Sequence, residues 1–151
     1  MTLSREQLIL EEIKTRLNGP ALGPVAKPEG LGFDRSRMRS VAPTSPRWGS
    51  IYPLEAGFER KGSIAEQKFI AKIVLWVTGT ASEPVDQTLD PVWLWTHQQL
   101  IADESLGGLC LRIEPIQKVW GFNLAQAPFG DLDLHYLITY RHQAADPSQP
   151  F

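Results

Sequence analysis

Asp131, Asp133 and His135 stand at alternate positions in Asp-Leu-Asp-Leu-His, and no other run in the sequence concentrates so many groups able to do chemistry. On a strand, side chains two apart share a face, so two carboxylates and an imidazole could converge on a divalent metal. A half-buried antiparallel strand produces the same spacing for a simpler reason: Leu132, Leu134 and Tyr136 face a core and the residues between them face water. The solvated face is the favoured reading. No metal and no cofactor are therefore expected, and a metal-dependent hydrolase built on these three residues is the enzymatic alternative.

Arg35, Arg37 and Arg39 repeat the alternation with guanidiniums, which suit phosphates or carboxylates. No aromatic side chains interleave with them to stack bases, and a net charge of −2 gives no general attraction to nucleic acid. Their expected partners are carboxylates, either across strands, as with Asp131 and Asp133, or across a subunit interface. His97 sits among apolar residues with no local nucleophile or orienting acid, so it reads as a partly buried helix residue. The chain lacks a Gly-x-Ser-x-Gly elbow, a phosphate loop, a paired-histidine zinc motif and a dinucleotide fingerprint. Trp48, in Ser45-Pro46-Arg47-Trp48-Gly49, places an aromatic beside an arginine in a Pro/Gly setting, the composition of an interface anchor. Trp76, Trp93, Trp95 and Trp120 fall on regular elements and are expected in the core.

The elements that must hold these groups follow from periodicity. Ser4 with Gln7 forms a capping box and Asn18-Gly19-Pro20 a stop; Ile9, Leu10, Ile13 and Leu17 recur at helical spacing between them. A long Gly/Pro-rich loop over 19–32 leads into a strand from Phe33 to Ala42 that would carry the arginines. The Pro-rich section 43–63 holds one short strand around Ser50 to Phe58. Lys68 to Thr78 alternates apolar residues on both faces, as a central strand does. Asp90-Pro91 reads as the cap and first turn of a second helix running to Ala102, with an earlier start near Pro84 as the alternative. Leu106-Gly107-Gly108 turns the chain into a strand over Leu109 to Ile113, a further strand over Val119 to Leu124, and a last long strand from Asp131 to His142.

A single α+β domain over 1–142 results, with two helices packed on one face of a mainly antiparallel twisted sheet in the order α-β-β-β-α-β-β(-β), and a flexible tail over 143–151. Its 151 residues allow one core. Cys110 is the sole cysteine, so no internal disulfide can form and a reducing compartment fits. The N-terminus shows no secretory pattern, and the longest apolar stretch, Phe69 to Val77, is interrupted by Lys72 and falls short of the roughly 18 residues a membrane helix needs.

The series Leu89-Asp90-Pro91-Val92, His97 to Ala102, Asp103 to Leu109 and Tyr140-Arg141 to Asp146-Pro147 resembles the tail terminator proteins of tailed bacteriophages, of the minor tail protein U type. The match is best at Leu89, Asp90, Pro91, Leu100, Asp103, Leu106, Gly107 and Gly108, which are scaffold residues. It departs at Trp93, Trp95 and the section from Pro43 to Pro53. The resemblance implies a homo-oligomeric ring, commonly a hexamer, that caps the finished tail tube and offers its other face for head joining. Its implied partners are further copies of itself, the tail tube protein and a head-completion or neck protein, with DNA only in transit and no membrane. It implies residence in the host bacterial cytoplasm during assembly and then in the virion tail. Another neck or head-completion protein is the nearest alternative. Arg35, Arg37, Arg39 and Trp48 are the expected interface residues.

Overall fold

The computed structural model describes residues 2–35, 47–54, 57–78, 84–123 and 129–150. Helix α1 (Arg5–Leu17) begins where Ser4 accepts a hydrogen bond from the Gln7 amide, and it ends at Asn18. Glu6 in its first turn and Lys14 and Arg16 in its last complement the helix dipole. Ile9, Leu10, Ile13 and Leu17 are fully buried, each contributing about 1.5–3 kcal/mol by leaving water.

Strands β1 (Gly32–Arg35), β2 (Arg47–Leu54), β3 (Phe58–Lys61) and β4 (Ile64–Thr78) follow, then helix α2 (Val85–Ile101) and strands β5 (Arg112–Asn123), β6 (Phe129–Gln143) and β7 (Asp146–Pro150). The sheet runs β1-β2-β4-β6-β5, with β3 beside β4 and β7 beside β6. The α+β class expected from sequence holds, but the sheet is mixed and curled: β1 lies parallel to β2, whereas all other pairings are antiparallel. The order departs from expectation too, with four strands before α2. The Pro-rich section forms two strands, because β2 pairs with Ile70 to Val77 and β3 with Ile64 to Gln67 of the same long β4.

Three boundaries also moved. Helix α2 starts after Pro84, the alternative start read from the sequence, rather than at Asp90, and carries Pro91 inside it. One continuous β5 replaces the two strands expected over 109–124, with a register shift between Pro115 and Gln117 that accommodates the proline. The tail expected from residue 143 is paired instead: Gln143 ends β6 and Asp146–Pro150 forms β7 against it.

The core lies between the helices and one sheet face. Phe69, Ala71, Ile73, Leu75 and Val77 of β4 meet Leu132, Leu134, Tyr136, Ile138 and Tyr140 of β6 there, all buried, in the alternation read from the sequence. Trp95 is fully buried and donates its indole N–H to the Leu17 carbonyl, 3.0 Å away, which joins α2 to the end of α1. The Gly/Pro loop is fastened to α2 by two adjacent glutamines. Gln98 accepts from the Val25 amide and donates to its carbonyl, while Gln99 accepts from Leu22 and donates to Arg16 and Pro20 carbonyls. After α2, Asp103 accepts from the Ser105 and Gly107 amides, and Gly107 and Gly108 take positive φ, where a side chain would be strained. Leu89, Leu100 and Leu106 are fully buried in the core.

Candidate assembly face and edge cleft

Among the described residues no helix lies over the other sheet face. Because strand partners share a face, register alone defines its rows. Trp48 lies opposite Trp76, which lies opposite Asp131; Ser50, Val74, Asp133 and Val119 form the next row, and Tyr52, Lys72, His135 and Gln117 the one after. The Trp48 and Trp76 rings stack with centroids 5.3 Å apart and planes 16° from parallel. Trp48 thus belongs to strand β2 and not to a loop, and Trp76, expected in the core, stands on the uncovered face.

Beside the indoles, Asp133 forms an ion pair with Lys72 at 3.3 Å. Asp131 is held above the usual carboxylate range by burial first, then by the adjacent Asp133 charge and a hydrogen bond shared with it. The glycine at 121 makes room for it, since a Cβ there would run into the Asp131 carboxylate. Lys72 thus brings an ammonium to this cluster, and His135 sits across from it. Among the described residues no three His, Cys, Asp or Glu side chains group closely enough to hold a metal. Ser50 Oγ, Asp133 Oδ1 and Thr139 Oγ1, all on this face, are buried without a hydrogen-bond partner among the described residues.

Arg35 turns away from this face. Its guanidinium pairs with Glu11 at 2.7 Å and donates to Gln7 at 3.0 Å, both on α1. A carboxylate partner was expected, but Asp131 and Asp133 are not it: Arg35 lies opposite Ile51, on the helix side. Arg37 and Arg39 lie outside the described residues.

At the β5 margin, on the helix side, a cleft of about 250 Å³ is lined by Trp93, Pro115, Ile116, Lys118, Leu134 and Tyr136, together with Gln117 and His135. The Lys118 ammonium rests 4.8 Å from the Trp93 centroid and 5.1 Å from that of Trp120. His97, expected as a packed helix residue, contacts Trp93 edge-on and shares a 3.2 Å hydrogen bond with the Tyr136 hydroxyl. Burial lowers the His97 pKa and raises that of Tyr136, so both favour their neutral forms. In the sequence Lys72 reads only as a break in an apolar stretch and Lys118 carries no mark; the register reveals their neighbours.

No family model matches the chain, and no curated protein matches it.

Proposed function

We propose that this protein is a phage or prophage tail terminator: a subunit that closes into a ring, commonly a hexamer in the family it resembles, and caps the completed tail tube while offering a surface to the head. The observation that carries this reading is the sheet face that no described helix covers, on which stacked Trp48 and Trp76 adjoin the Asp131, Asp133 and Lys72 cluster. Large aromatic area with charged groups around it is the make-up of a protein interface.

A tube grows by repeating one head-to-tail contact, which contains nothing that stops it. A terminator must match the tube end with one surface and present a different one outward, so that the next tube subunit finds no site. This fold has two dissimilar surfaces, the helix layer and the bare sheet. Arg35, occupied by Glu11 and Gln7, fits a subunit through which DNA passes without being held. Deleting the gene is expected to give headless tails with tubes of uncontrolled length, scored by negative-stain microscopy; normal-length, head-joined tails from the deletion strain would end this reading. The purified protein is expected to bind duplex DNA only weakly at physiological salt, and sub-micromolar binding with a steep salt slope would contradict it.

A further inference from the structure

We propose that the free edge of β5 and the cleft beside it form a docking site for an extended segment of a partner protein, one that carries an apolar residue and, two positions away, a carboxylate. This inference does not depend on the tail terminator reading. Among the described strands β5 pairs only with β6, so its other side presents backbone groups that an added strand can satisfy. Pro115 cannot donate, which starts any such pairing at Gln117 and places the cleft at its beginning.

The helix-side positions of an added strand would pass the cleft and then Lys118, since Pro115 and Lys118 both pair with helix-side residues of β6, Tyr136 and Leu134. The cleft offers Trp93, Ile116 and Leu134 to an apolar side chain. Lys118 supplies the charge that selects the occupant. Among the described residues no carboxylate forms an ion pair with it, and its ammonium is held in place by two indoles. A charge pointing to the inner side of an edge strand discourages indiscriminate pairing, because an incoming strand without a counter-charge must desolvate the ammonium for nothing. A strand that brings a carboxylate removes that penalty. The edge is thus closed to most strands and open to one kind.

Two labelled peptides test this, Thr-Val-Thr-Phe-Thr-Glu-Thr-Val-Thr and its counterpart with Lys in place of Glu, titrated by fluorescence anisotropy against the wild type, Lys118→Glu and Lys118→Met, with circular dichroism confirming that the variants fold. The wild type is expected to prefer the Glu peptide by roughly tenfold, Lys118→Glu to reverse that preference, and Lys118→Met to lose it. Amide shifts on the full chain are expected to concentrate in Gln117 to Gly121. Equal binding of both peptides, no binding by either up to about 1 mM, or shifts confined to the β1 edge or the bare sheet face would overturn the proposal. So would β5 amide shifts that depend on protein concentration alone, which would make the occupant a second copy of this chain.

Discussion

The two faces of β6 follow one alternation yet are finished differently. Leu132, Leu134, Tyr136, Ile138 and Tyr140 meet a layer of helices that completes their surroundings. Asp131, Asp133 and His135, interleaved with them, meet among the described residues what neighbouring strands provide: Lys72 for Asp133, stacked indoles nearby, and no partner for Asp133 Oδ1. Period-two patterning therefore says which residues share a face, but not whether the polar face is merely wet or awaits another molecule.

Two tryptophans make the contrast measurable. Trp95→Ala opens a cavity in the completed layer and strands the Leu17 carbonyl, so a loss of about 3–5 kcal/mol in denaturant unfolding is expected. Trp48→Ala removes a half-buried ring from one stack, with an expected loss of about 1–2 kcal/mol, a folded domain, and a marked defect in attachment to tail tubes in a sedimentation assay. If the two variants unfold at the same denaturant concentration, the bare face is as much a core as the covered one, and the comparison collapses.

The smallest effect concerns Asp131. Its folded-state pKa lies above the ordinary 3.8, so the fold favours the protonated acid. The resulting stability is fully present below the unfolded value and is lost as pH rises through the raised folded value. Asp131→Asn, which stays neutral, is therefore expected to be more stable than the wild type at neutral pH by less than about 1 kcal/mol, and to lose that advantage near pH 3. Thermal melts across this range check the sign, and a variant destabilised at neutral pH would show that the charge itself is needed, as a salt link to Lys72 would require.

Much of the fold was legible because its signals are local. Ser4 and Gln7 marked the start of α1, and the five inward positions of β6 were visible as strict alternation. The errors share one physical cause, which is that tertiary pairing overrode local punctuation. Pro115 sits at an irregularity that β6 tolerates, Pro91 lies inside α2, and β4 is long enough to pair with two separate strands from the Pro-rich section. The candidate site was half visible. Asp131, Asp133 and His135 stand out together, whereas Trp76 and Lys72 read as the centre of a strand whose second face is covered by no described helix. Arg35 found a carboxylate as expected, but on α1, a contact between residues 24 apart that no strand pattern encodes.

Strand β4 sits between β2 on one side and β6 on the other, and that placement has a consequence for synthesis. On the ribosome, β2, β3 and β4 are complete well before residues 129–143 are made. At typical elongation rates of roughly 5–20 residues per second, the long apolar edge of β4 waits on the order of several seconds for its partner. Throughout that interval the nascent chain exposes fifteen strand residues that any similar strand could pair with. Lys68 and Lys72, the two cations within that strand, are charges that a wrongly paired strand would have to accommodate, which disfavours pairing before β6 arrives.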